Sequence, residues 1–176
     1  MVNITAGMVK ELRERTGLGM MDCKRALTEA EGDMDKAIDD LRKASGIKAA
    51  KKASRVAAEG VVLTKIAEDG NNGVIIEVNS ETDFAARDDN FLDFSQQALE
   101  LAYSNREADV AALLGAGLED TRTAMVQKIG ENCNVRRVER LQFTDGNAGI
   151  VESYVHSNNR IAVLISVTGG DEALAR

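Results

Sequence analysis

The side chains able to do covalent chemistry are few and scattered along the sequence. His156 is the single histidine, the residue type best suited to proton traffic near neutral pH. Cys23 and Cys133 stand 110 positions apart with no CxxC pair and no histidine beside them, which reads as two reduced structural thiols rather than a redox or zinc site. Carboxylates come in pairs at Glu11/Glu14, Asp39/Asp40 and Asp88/Asp89, on charged faces that enclose no acid and base of opposed pKa. Ser80, Ser157 and Asp171 fall in turn chemistry and make no credible triad with His156. Gly17-Leu18-Gly19 follows a helical pattern instead of a strand and lacks the third glycine of a dinucleotide fingerprint; no GxxxxGK[ST] phosphate loop occurs. The expectation is a binding protein, not an enzyme, with no cofactor, no metal and no stable small-molecule ligand.

The informative local site is Glu81-Thr82-Asp83-Phe84-Ala85-Ala86-Arg87. Two readings compete for it. In one, Thr82 or Asp83 caps the following helix and Phe84 begins that helix's core stripe. In the other, Asp83 and Phe84 form an exposed tip at a strand-to-helix turn, where the carboxylate contests hydrogen bonds and the ring wedges into a partner's cleft. The chain holds only four Phe and two Tyr, so its cores are mainly aliphatic and an exposed phenylalanine asks for a functional reason.

The elements that must position these residues follow from hydrophobic period. Met8, Val9 and Leu12 recur at helical spacing up to Gly17; Cys23, Ala26 and Leu27 mark a second helix over 22–29; Met34, Ala37, Ile38 and Leu41 mark a third after Glu31-Gly32-Asp33. These three make a small module over residues 1–45, marginal alone, with Met20 and Met21 divided between its own core and a partner surface. Arg42, Lys43, Lys48, Lys51, Lys52 and Arg55 follow with no acidic residue among them, giving a basic linker over 46–56. Residues 60–66 and 73–78 are β-rich runs around a hairpin turn, helical stripes start at Phe91 and Leu118, and residues 135–143 return to a strand pattern. A first core subdomain over 57–144 is therefore β-β-α-α-β, with the helices covering one sheet face.

Residues 145–176 repeat the first hairpin at an offset of 89. Gly60-Val61-Val62 aligns with Gly149-Ile150-Val151, and Val74-Ile75-Ile76-Glu77-Val78 with Val163-Leu164-Ile165-Ser166-Val167. The second copy lacks the helical cover of the first and reads as a partial subdomain whose apolar strands need another surface.

Twenty-two Lys plus Arg against 29 Asp plus Glu give a net charge of −7, which excludes a surface that is nucleic-acid footprint throughout and any expectation of DNA binding. The basic linker keeps a ribosome- or RNA-associated module as an alternative, although no aromatics interleave it for base stacking. No run approaches the ~18 apolar residues of a membrane span and no secretory pattern opens the chain, so a cytoplasmic protein without a membrane partner is expected.

Three stretches taken together resemble bacterial elongation factor Ts, the family of guanine-nucleotide exchange factors of elongation factor Tu. They are Arg15-Thr16-Gly17-Leu18-Gly19-Met20-Met21-Asp22-Cys23-Lys24-Arg25-Ala26-Leu27, the Glu81 to Arg87 run above, and Lys128-Ile129-Gly130-Glu131-Asn132. The resemblance implies an α+β fold, with an N-terminal three-helix ubiquitin-associated-like bundle before a layered core subdomain and part of a second. It implies elongation factor Tu as the partner and Asp83-Phe84 as the pair inserted near that partner's magnesium and phosphate site. By the same resemblance Leu12, Met20, Met21, Thr82 and His156 belong to the partner interface. Leu18 stands where the family usually carries alanine, and Ala85 where it usually carries valine. The chain stops before the rest of the family's second core subdomain, so a form that binds elongation factor Tu with weak exchange activity is the further alternative; the oligomeric state stays open.

Overall fold

Local capping chemistry sets the first three helices. Thr5 accepts the Met8 N–H at 3.3 Å and starts α1 (Ala6–Thr16), which Gly17 ends in the left-handed conformation at φ 66°. α2 (Met20–Glu29) begins two residues before the expected start at residue 22, so Met20 and Met21 ride its first turn. Asp33 accepts the Lys36 N–H at 3.0 Å and starts α3 (Met34–Lys52). Val9, Leu12, Leu18, Cys23, Ala26, Leu27, Ala37 and Leu41 close a small core among these helices. The leucine at position 18 is buried there and adds to it.

The structure is a computed structural model that describes residues 3–143, 149–169 and 174. It is an α+β fold of helices and two small antiparallel sheets. The expected boundary at 144/145 and Asp171 lie outside the described residues. The linker expected over 46–56 is corrected: residues 46–52 are the second half of α3, and only residues 53–58 are free of regular structure. Lys51 and Lys52 occupy its last turn, where cations are favoured by the helix dipole. Leu41 belongs to the helical module's core while Ala49 belongs to the next one, so a single helix joins the two. Gly46 sits mid-helix with nothing within 4 Å of a would-be Cβ. Gly46→Ala therefore raises stability by about 0.5–1 kcal/mol through helix propensity and a less free unfolded chain, measured as a higher urea midpoint.

β1 (Glu59–Ile66), β2 (Asn72–Ser80) and β3 (Asn134–Gln142) form one sheet in the order β1-β2-β3. Val61, Val74, Ile76, Val78, Val135 and Val138 point to one face, and Phe91, Phe94, Ala98, Leu99 and Ala102 of α4 (Asp89–Ser104) with Met125 and Val126 of α6 (Glu119–Ile129) cover it. A bulge opposite Glu77/Val78 lets Val135 and Val138, three apart, both face inward. It also turns Arg136 and Arg137 outward onto Glu77, with Arg137 Nε 2.7 Å from that carboxylate. A short helix α5 (Val110–Leu113), capped by Asp109, interrupts the expected β-β-α-α-β order before a π-type turn over Leu114–Leu118.

The second hairpin, β4 (Gly149–Val155) with β5 (Ala162–Thr168), reproduces the first in register as well as in sequence. The pairs Gly60–Asn79 and Ile66–Gly73 recur 89 residues later as Gly149–Thr168 and Val155–Ala162. It packs on the outer face of the three-stranded sheet. Val151 and Leu164 fit there because Gly73 has no side chain: a Cβ would stand 3.0 and 3.1 Å from them. The Asn159 carbonyl accepts the Val62 N–H at 2.7 Å, and Arg160 pairs with Glu59. The other face of this hairpin carries Ile150, Val163, Ile165 and Val167, the repeat equivalents of the buried Val61, Val74, Ile76 and Val78, and these four are half-buried or exposed. No helix of the described residues is long and apolar enough to cross a membrane.

Candidate functional site

The turn after β2 separates the two sequence readings of Thr82, Asp83 and Phe84. Thr82 does cap: its Oγ1 accepts the Ala85 N–H at 3.2 Å and its carbonyl takes the Ala86 N–H at 3.2 Å, shaping the 3₁₀ turn Ala85–Arg87. Asp88, not Asp83, then caps α4 by accepting the Asn90 N–H at 2.9 Å. Phe84 is not the first residue of a core stripe; that stripe starts at Phe91. The small Ala85 and Ala86 turn inward and are buried, which leaves Phe84 80% exposed at the apex. Burying such a ring is strongly favourable, so its exposure is a cost that a partner's apolar cleft would relieve. Asp83 lies beside it, its carboxylate 2.8 Å from Arg87 in a surface ion pair worth little to stability.

The other sequence-derived residues fall in three places. Met20 and Met21 are 59% and 76% exposed on the first turn of α2, so neither belongs to the internal core. Leu12 is a correction: expected at the interface, it is fully buried in the helical module, where it supports α2 from behind. His156 is exposed at the end of β4, and its Nδ1 is 2.9 Å from the Tyr154 hydroxyl. The carboxylate pairs lie on solvated faces, Glu11 on Arg15 and Asp39 near Arg42. Ser80 donates its hydroxyl to the Thr82 carbonyl at 2.9 Å and so braces the turn. Among the described residues no three His, Cys, Asp or Glu side chains gather where they could hold a metal ion.

Tertiary structure brings together what the sequence separates. Lys128, near the end of α6, reaches Asn90 Oδ1 at 3.3 Å, and its Nζ stands 2.5 Å from where a Cβ on Gly17 would be. Lys52 at the end of α3 donates to the Gly130 carbonyl at 2.6 Å. Glu131 accepts both the backbone N–H of Thr82, at 2.9 Å, and its hydroxyl, at 2.7 Å. Glu81 accepts the Asn132 N–H at 2.6 Å, and Asn132 donates to the Arg55 carbonyl at 2.8 Å. The stretches around Gly17, Thr82 and Glu131 thus meet through Lys128 and Glu131. Neither is among the site residues that the sequence points to, although both lie within the family-like stretch Lys128 to Asn132.

Cys133 lies behind this junction, fully buried. Burial first, and then the Glu131 and Glu81 carboxylates, push its thiol up to about 12. The unfolded thiol ionises near ~8.5, so its contribution to stability is complete below that pH and is lost progressively as pH rises towards the folded value. The expected result is that Cys23 and Cys133 resist a thiol reagent at pH 8 until urea unfolds the chain, as followed by mass spectrometry.

Residues 81–176 match the protein family described as Elongation factor TS. The chain belongs to that family. Over its whole length it is 59% identical to Elongation factor Ts of Hahella chejuensis, and over 98% of its length it is 61% identical to that of Saccharophagus degradans. It covers 60% and 59% of those two proteins, so it spans only part of such Elongation factor Ts chains. Against Elongation factor Ts of Arthrospira platensis the identity is 50%, with 72% of that protein covered. The family match contains the Thr82 to Arg87 tip and the Lys128 to Asn132 loop, while the helical module before residue 81 is matched through the individual Elongation factor Ts relatives.

Proposed function

We propose that this chain is a guanine-nucleotide exchange factor for elongation factor Tu, acting in the cytoplasm during translation elongation. The observation that carries the reading is an exposed Phe84 on a braced turn, at the junction where three family-like stretches converge. In this reading residues 1–45 are a ubiquitin-associated-like module that offers Met20 and Met21 to the partner, residues 57–144 are the core subdomain that carries the tip, and the second hairpin opens a further subdomain that offers His156. Asp83-Phe84 enters the partner beside its magnesium and phosphate site. The magnesium belongs to the partner; the chain supplies a ring that displaces packing and a carboxylate that competes for the donors holding phosphate.

No bond is made or broken in such a step. The chain binds the nucleotide-free partner more tightly than the GDP-bound one, and linkage requires GDP binding to weaken by the same factor. Titration calorimetry tests this reciprocity: GDP should weaken the association of chain and partner, and the chain should weaken GDP by an equal factor. Equal affinity for free and GDP-bound partner would end the exchange reading and leave simple binding.

Met20→Ala combined with Met21→Ala should weaken association by about tenfold, because two exposed thioethers at an interface account for roughly 1–2 kcal/mol while neither supports the internal core. Unchanged calorimetric affinity in the folded double variant would remove the helical module from the interface. The ribosome or RNA alternative draws less support from the basic residues, since Lys52, Arg55 and Lys128 are engaged by Gly130, Glu81 and Asn90 within the chain.

A further inference from the structure

The geometry points to Glu131 as the positioning residue of the Asp83-Phe84 tip, holding the wedge in its productive direction from the loop that follows α6. The inference rests on the exchange reading above and goes beyond it by assigning a role to a residue 49 positions away from the residue it holds.

Phe84 makes its own direction hard to explain. A ring 80% exposed has almost no packing to fix it, so its orientation is inherited from the backbone of residues 82–85. That backbone is pinned on both sides of the Asp-Phe pair. Before the pair, the Thr82 N–H donates to Glu131 Oε2 at 2.9 Å. After it, the Ala85 N–H donates to Thr82 Oγ1 at 3.2 Å, and that same hydroxyl donates to Glu131 Oε1 at 2.7 Å. One carboxylate therefore uses both oxygens on one residue and passes its hold, through a hydroxyl, to the residue beyond the ring. Charge-assisted, two-point contacts of this kind fix geometry more strongly than a neutral single bond.

The clamp is reciprocal. Glu81, just before the tip, accepts the Asn132 N–H at 2.6 Å, while Glu131, just before Asn132, takes Thr82. Gly130 turns the chain out of α6 at φ 84°, and its carbonyl is held by Lys52 of α3. The tip is thus cross-braced to a loop that α3 and α6 hold rigid. A wedge that acts by placement loses rate when its support loosens by an ångström, even where contact area and affinity survive.

This predicts a separation that a merely structural role does not produce. Stopped-flow release of fluorescent GDP from elongation factor Tu, measured over a range of chain concentrations, should show Glu131→Ala lowering the rate at saturation by about tenfold while shifting the half-saturating concentration by less than about twofold. Glu131→Gln keeps an acceptor for the Thr82 N–H and offers a donor to its hydroxyl, and should restore most of the rate. Thr82→Val removes only the hydroxyl arm, and should lower the saturating rate part of the way even if Glu131→Ala fails to fold. In Glu131→Ala the further change Thr82→Val should cost little, because the two act as one unit. A wild-type saturating rate in folded Glu131→Ala, or a loss confined to half-saturation, overturns the proposal. Amide hydrogen exchange reads the clamp without the partner: Thr82 and Ala85 should lose protection in Glu131→Ala, and unchanged protection overturns it. A wild-type chain that leaves GDP release unaccelerated, with that protection lost as expected, overturns the exchange reading and the role in exchange while the clamp stands.

Discussion

Phe84→Ala should leave the chain folded and remove most of its acceleration of GDP release. The ring is 80% exposed, so its truncation opens no cavity and the ~3–5 kcal/mol cost of losing a core phenylalanine does not apply. Thermal unfolding should place the variant within about 0.5 kcal/mol of the parent chain, the usual range for a surface change. Exchange should fall by about thirtyfold or more, corresponding to the ~2 kcal/mol of an aromatic anchor at the centre of an interface. Asp83→Asn supplies the contrast. It keeps the size of the side chain and removes a charge that here faces Arg87 in an exposed pair, so stability should hold and exchange should fall by less than for Phe84→Ala. A Phe84→Ala protein that unfolds early would return the ring to the core-stripe reading.

Gly60→Ala should be the most damaging single-methyl change in the first hairpin. Gly60 has φ 148°, where side chains are strained, and a Cβ there would stand 2.0 Å from the Val78 carbonyl oxygen and 2.8 Å from the Asn79 Cα. Both are backbone atoms of the paired strand, so neither can swing aside. Conformational strain and overpacking together should cost about 2–4 kcal/mol, read as a lower urea midpoint with unchanged slope. Gly149 stands at the equivalent place 89 residues later, with its would-be Cβ 2.6 Å from the Val167 carbonyl oxygen. Gly46→Ala in α3, which adds the same methyl in open space, should move stability the other way. An unchanged midpoint for Gly60→Ala would mean that the close strand approach does not constrain the hairpin.

How much of this was legible depends on whether the cause was local. Thr5, Gly17, Asp33 and Gly130 act on the chain within a turn of themselves, and the helix ends they mark fall close to where the sequence placed them. The offset of 89 was legible because both hairpins repeat their apolar alternation, and pairing register follows from that alternation. The second half of α3 was not. Its buried positions are Ser45 and Ala49, too small and too polar to stand out as an apolar stripe among lysines, and they are buried by α6 and the core, which sequence does not show. Val135 and Val138 break the two-residue period, and only the bulge in their own strand, where Arg136 is the extra residue opposite Glu77/Val78, explains why both face inward.

The site divides along the same line. An Asp-Phe pair between a strand and a helix was visible, and so was the choice between cap and tip. What decides that choice is Asp88 taking the cap of α4 while Ala85 and Ala86 take the inward positions. The family resemblance implies Leu12 at the interface, whereas its spacing with Val9 on α1 belongs to the module's core. Glu131 was invisible as a partner of Thr82 because nothing in the stretch between them, 49 positions apart in sequence, records that α6 ends beside β2.

The central claim is most directly tested by GDP release from purified elongation factor Tu, followed by stopped flow with and without the chain at matched magnesium concentration. The account predicts release that accelerates with chain concentration and saturates. Release that stays at its unassisted rate at every concentration, with the chain folded and bound to elongation factor Tu, would contradict it.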